Sequence, residues 1–237
     1  MLADIPDHSV QNGALGKDVQ MSAASIHALI DFIGDELPTW RDHPDRSKQT
    51  SETSLTSQLC GHLNTAARFS PGWDILQFRI EEPDEQQRGR KIDLVVSPCG
   101  PIIWIEGRRC TQFDILLPIE CKRLPTPKDK DRDEREYVIN RHATTGGIQR
   151  FKAGNHGAKH LLAAMIGYVQ AESPATWHTR LNSWISELEK TQQLGWSAKD
   201  LIHVEAEFKT GVTTLISSHM RERDLSKIDI RHLWIKM

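Results

Sequence analysis

Two short apolar runs in this chain are each interrupted by a charge. Asp93 stands inside Lys91-Ile-Asp-Leu-Val-Val96, and Glu120 stands inside Ile115-Leu-Leu-Pro-Ile-Glu-Cys121, with Lys122 two residues beyond it. Strand side chains alternate faces, so residues 120 and 122 project together from one strand end. If Asp93 lies on a neighbouring strand, two carboxylates converge beside one ammonium. Burying an unpaired carboxylate is unfavourable, and two adjacent ones repel. A divalent cation removes both problems, because Mg²⁺ takes oxygen ligands from one or two carboxylates plus water and phosphate. The chemistry this suggests is metal-assisted hydrolysis of a phosphodiester, with the lysine orienting water or neutralising developing charge. The plainer alternative is an edge-strand ion pair between Glu120 and Lys122, with Asp93 a turn acid.

The elements that must position these groups are read from periodicity. Ile26, Leu29, Ile30 and Ile33 form one helical stripe, which Pro38 should end. A second helix is expected over 51–68, with Leu55, Leu59 and Leu63 inward and Thr50 or Ser51 as its cap. The period then changes. Strands are expected near 75–80, 91–96, 102–105 and 115–121, with an acidic turn after the first and a basic turn, Arg88-Gly-Arg-Lys91, before the second. Residues 122–136 carry both signs densely and read as a solvated loop. Leu161, Leu162, Met165, Ile166 and Val169 predict a helix over 156–171. Trp177, Leu181, Trp184, Ile185 and Leu188 predict another over 174–193, its tryptophans read as core rather than as a base-stacking platform. Strands close the chain at 201–208, 212–217 and 228–235. Residues 1–21 are polar and read as a flexible arm, and 22–237 as a single α/β domain.

Asp93 followed by Glu120-Cys121-Lys122, a D…ExK pattern, resembles the PD-(D/E)xK nuclease superfamily. The resemblance in element order covers about residues 50–170. It implies a restriction-endonuclease-like fold: a central mixed sheet flanked by helices, here with added C-terminal antiparallel strands. It also implies that Asp93 and Glu120 bind Mg²⁺ or Mn²⁺ and that Lys122 positions the water. Many members carry a supporting glutamate on the first core helix, and Glu52 matches it, falling on the 52, 55, 59, 63 stripe. Ile92 stands where many members have proline. The 26 residues between Asp93 and Glu120 exceed the usual gap and should hold an inserted hairpin near 98–113. A rival register uses Glu106-Gly-Arg108. Glu120 is preferred because its strand is longer and its lysine intact.

Downstream, Gly146-Gly-Ile-Gln-Arg-Phe151 and Lys152 form a glycine-rich, basic stretch at a helix start. Backbone N–H groups there, with Arg150 and Lys152, could hold a phosphodiester, and Gln149 could reach the metal-site water. A turn and a cap is the bland reading of the same stretch. His156 and His160, at i and i+4, could share a metal, though no third ligand is evident. His219-Met-Arg-Glu-Arg223 adds local positive charge.

Composition narrows the classes. The chain has 237 residues and a net charge of −2, so it can bury a full core but offers no broad electrostatic surface for nucleic acid. Its longest apolar run, 161–169, is too short to span a bilayer, and its first residues lack a secretory pattern. Four cysteines without a CxxC pair read as reduced cytoplasmic thiols. The expectation is a Mg²⁺-dependent DNA endonuclease, in restriction or phage defence, with DNA preferred over RNA and a homodimer or higher oligomer. The alternatives are a catalytically inactive nucleic-acid-binding or scaffold protein on the same fold, and an RNA-directed nuclease.

Overall fold

A computed structural model describes residues 18–84, 89–128, 132–140, 146–191, 193–207, 211–221 and 225–237. Among them no helix is long and apolar enough to cross a membrane. The basic turn at Arg88, most of the expected arm and the end of the His219–Arg223 run lie outside the described residues.

Among the described residues seven strands form one mixed sheet. In chain order they are β2 (Leu76–Pro83), β3 (Lys91–Pro98), β6 (Leu117–Leu124), β7 (Leu162–Val169), β8 (His203–Glu207), β9 (Val212–His219) and β10 (Ile228–Lys236). Their spatial order is β2-β3-β6-β7-β10-β9-β8. The β6–β7 and β7–β10 pairs are parallel, and the rest are antiparallel. Helices α1 (Ala23–Arg41) and α2 (Glu52–Arg68) join Ile119, Cys121, Ala164 and Ile166 in one core. Helix α4 (Pro174–Lys190) covers the other face through Trp177, Leu181 and Ile185, against Leu124, Ala163 and Met165. The mixed sheet flanked by helices and the C-terminal antiparallel strands are thus present. So is the inserted hairpin, β4 (Ile103–Ile105) and β5 (Arg108–Cys110). Its two-residue turn, Glu106-Gly107, has positive φ at both positions, as a right-twisted hairpin requires.

Three expectations need correction. The helix placed at 156–171 is strand β7. Its residues 162, 164, 166 and 168 serve one core and 163, 165 and 169 the other. A strand buried on both faces shows no polar alternation, so its apolar run mimics a buried helix. Pro38 does not end α1, which runs on to Arg41 with Asp42 N donating to Pro38 O. The arm is not wholly loose: β1 (Val19–Met21) pairs in parallel with β4, giving a separate three-stranded sheet with β5.

Candidate active site

The site forms where two strands separate. The β3–β6 ladder runs from Val96↔Leu117 to Leu94↔Ile119 and stops, one position before Asp93 would face Glu120. Past that point the Asp93 side chain replaces the ladder, its Oδ2 accepting from Cys121 N at 2.9 Å. On the other side of β3, Ile80↔Leu94 and Glu82↔Ile92 flank Glu81 and Asp93, and Glu81 has φ of 52°. A left-handed non-glycine residue costs about 1 kcal/mol or more, so the sheet is distorted on both sides of Asp93.

Glu52 enters from above as the first residue of α2. Ser51 caps that helix, accepting from Ser54 N at 3.2 Å. Glu52 therefore sits at the positive end of the helix dipole, where a carboxylate is favoured. Its Oε2 also accepts from Arg123 N at 3.2 Å.

All three carboxylates meet Lys122. Its Nζ lies 3.0 Å from Asp93, 3.2 Å from Glu52 and 3.5 Å from Glu120. Glu120 is completely buried and holds two further partners: the Arg150 guanidinium at 3.0 Å and His156 Nδ1 at 2.5 Å. Arg132 approaches Glu52 at 3.6 Å from the far side. Burial pushes the Glu120 carboxyl up, but Lys122, His156 and Arg150 outweigh it and hold the group far below its ordinary range. Burial disfavours the Lys122 ammonium, but Asp93, Glu120 and Glu52 more than compensate, so it stays charged. Asp93 behaves oppositely: burial, then the Glu120 charge, raise it to about 6 despite Lys122 and the Cys121 bond. Asp93 is the one acid of the three with a resolved rise, which marks where the cluster lacks positive charge.

Asp93 and Glu52 border a cleft of ≈ 50 Å³ with Thr53, Thr56, Ile80 and Glu81. At about 30 Å³ per water, the cleft is of small-ion scale. Hard oxygen donors at its rim fit Mg²⁺ or Mn²⁺, with Asp93 and Glu52 the most accessible and Glu120 already held by Lys122, Arg150 and His156. Among the described residues no three His, Cys, Asp or Glu side chains form a ready metal cage.

The downstream expectations fare differently. Arg150 joins the site through Glu120. Lys152 does not face solvent: it is 3% exposed and pairs with Asp200 at 2.8 Å, so it offers nothing to a phosphate. Gln149 is buried and its Oε1 accepts from Trp196 Nε1 at 2.8 Å. The glycine-rich turn precedes α3 (Gly147–Lys152), but its N–H groups are already used. Those of Gly147, Ile148 and Gln149 donate to the carbonyls of Glu136, Tyr137 and Val138. The glycines serve that approach, since a Cβ on Gly146 would lie 2.5 Å from Ile139 Cα. No helix carries His156 and His160 on one face, because 155–161 is irregular. Glu106 lies in the β4–β5 turn and meets none of the cluster residues, so the rival register falls away. His219 is fully buried, and Arg221 donates to the carbonyls of Gly157, His160 and Ser226 rather than lining a groove.

His156 and Arg132 belong to the site without having been singled out for it. In the sequence His156 pairs only with His160, as a shared metal ligand, because their i, i+4 spacing suggests that rather than a bond to Glu120. Arg132 lies in a stretch too uniformly charged to mark any one residue. Compared with known protein families, curated proteins and solved structures, the chain matches none.

Proposed function

We propose that this protein is a Mg²⁺- or Mn²⁺-dependent phosphodiesterase, acting as a DNA endonuclease on a restriction-endonuclease-like fold. One observation carries the reading: Glu52, Asp93 and Glu120 converge on Lys122 at the point where β3 and β6 part. Asp93 and Glu52 would hold the ion, and Glu120 would fix the lysine. The chemistry such an ion supplies is Lewis acidity toward a phosphodiester. Asp93, raised to about 6 by burial and the Glu120 charge, is the acid of the cluster whose charged form a bound cation would favour most. Lys122 holds its proton and faces charge developing on phosphate. Arg150 and Arg132, each about 30% exposed or less, flank the cluster and can receive the flanking strand. Cutting both strands of a duplex takes two such sites, which favours a homodimer. The free cysteines, three of them buried, fit a reducing cytoplasm.

A second reading is favoured by Glu120, both of whose oxygens are occupied from within the fold, by Arg150 and His156: an inactive nucleic-acid-binding protein on the same scaffold. One experiment separates the two. Plasmid, linear duplex, single strands and RNA are incubated with Mg²⁺, Mn²⁺ or EDTA. The expected outcome is divalent-dependent cleavage of DNA that drops at least about 10²-fold in Lys122→Ala and Asp93→Ala. DNA binding without cleavage under any divalent ion would leave only the second reading, and cleavage of RNA alone would move the substrate.

A further inference from the structure

The opposite end of β6 borders a cavity of ≈ 380 Å³, within the size range of small-molecule sites. Its walls come from the start of α1 (Ala23, Ile26), the β4–β5 hairpin (Ile105, Arg108), Leu116 before β6, and Lys159 and His160 before β7. His160 is only 6% exposed, and its Nε2 has no hydrogen-bond partner. The Leu116 backbone beside the ring favours its protonated form, so it acts there as an acceptor. Burial, then the charges of Arg108, Lys159 and Arg221, push this histidine down to about 3, so the ring is neutral. With the single N–H of the neutral ring turned to that acceptor, Nε2 carries a lone pair that lacks a donor. A buried polar atom left in that state costs about 1–3 kcal/mol, which a donor from a ligand would remove.

The surrounding charge points to an anion. Arg108 and Lys159 line the cavity, and the first turn of the 19-residue α1 opens onto it with no acid. Arg108 also donates to Ile115 O at 2.6 Å, and Asp114, outside the lining, feels the charge of both Arg108 and Lys159. Two acids line the cavity itself. Asp229 is neutralised by Lys227 at 2.9 Å and bonded by Ser218 at 2.5 Å, and Glu106 is exposed on the hairpin turn. Exposed His27 also borders it, and the rest of the wall, from Ala23, Ile26, Ile105, Leu116, Leu161 and Leu162, is apolar.

We propose that this cavity binds a small organic anion. The anionic head meets Arg108 and Lys159, the apolar body lies along Ile105 and Leu116, and an N–H or O–H donates to His160 Nε2. A 5′-mononucleotide and a hydroxyaryl carboxylate share that chemistry, and they form the two arms of the test.

Calorimetric titrations compare adenosine 5′-monophosphate with adenosine, and 4-hydroxybenzoate with benzoate, on the full chain. At least one of the two donor-bearing anions is expected to bind saturably, and its partner lacking the charge or the donor about tenfold or more weaker. Lys159→Gln and His160→Phe are each expected to weaken the bound compound by a similar factor. The His160 Nε2 resonance in ¹⁵N spectra should shift on binding. If His160→Phe fails to fold, Lys159→Gln and the Nε2 shift decide. Absence of saturable binding by both anions at millimolar concentration, equal binding of the matched compounds, or an unmoved Nε2 resonance overturns the proposal. No arm reads cleavage, so this site stands or falls apart from the carboxylate cluster.

Discussion

Asp93 answers to two opposed demands. Its Oδ2 stitches β3 to β6 through Cys121 N, yet its charge is poorly supported, because burial and Glu120 lift its pKa from 3.8 to about 6. The folded protein therefore binds the Asp93 proton more tightly than the unfolded chain does. This group's ionisation opposes folding: its contribution to stability is greatest below about pH 4 and falls as pH rises to about 6. Asp93→Asn keeps an acceptor for Cys121 N and removes the charge. We expect it to stabilise the protein by about 1–2 kcal/mol above pH 6 in urea unfolding, a figure reduced from the full shift because the side chain is 27% exposed. The same variant should lose cleavage, the trade expected of an acid kept for function. Destabilisation by Asp93→Asn would mean that the residue is an ordinary ion-pair acid. The carboxyl resonance of Asp93 should titrate near pH 6 without metal and move to lower pH with Mg²⁺. A midpoint unmoved by Mg²⁺ would remove Asp93 from the ion-binding set.

At the scale of elements, position depends on where helices start and strands stop. Glu52 reaches Lys122 because α2 begins at residue 52, and α2 begins there because Ser51 caps it. Ser51→Ala should cost about 1 kcal/mol of stability and lower kcat without removing any site group, because the first turn frays and Glu52 loosens. An unchanged kcat would show that Glu52 is not held by the cap. This much was legible in the sequence: the Leu55, Leu59, Leu63 stripe placed Glu52 over the strands, and charges breaking apolar runs marked Asp93, Glu120 and Lys122. What stayed hidden was set by tertiary contact. Strand β7 read as a helix because both its faces are buried. The loss of pairing between Asp93 and Glu120 is a property of two strands together, which neither sequence carries alone. The use of the Gly146-Gly147 amides by 136–138 is likewise a contact between segments, so a packing turn resembled a phosphate cradle.

For the whole molecule, the net charge of −2 conceals two buried clusters of opposite character. The first borders a cleft. The second lies within the fold: Lys152 and His219 share Asp200 Oδ1 at 2.8 and 2.7 Å, while Ser197 donates to Oδ2. The chain of bonds continues from His219 through Ser217 to His232, and on to Tyr137 and Trp234. It ties α3 to β9, β10 and the segment before α3, and Ser217, His219 and His232 are all at most 2% exposed. An acid, a histidine and a serine stand in line here, but no substrate reaches them, so their chemistry is cohesion. Arg150 and Lys152, two residues apart, thus have different work, and the difference is measurable. Lys152→Met strips a buried carboxylate of its main cation and should lower unfolding free energy by about 3 kcal/mol, with DNA affinity per folded molecule unchanged. Arg150→Gln leaves Glu120 with Lys122 and His156, so stability should fall by less than about 1.5 kcal/mol while DNA cleavage drops at least about tenfold. Urea unfolding, DNA binding and cleavage rates on the same two proteins decide the matter. Equal losses of stability, or a weakened DNA affinity in Lys152→Met alone, would reverse the assignment of the two cations.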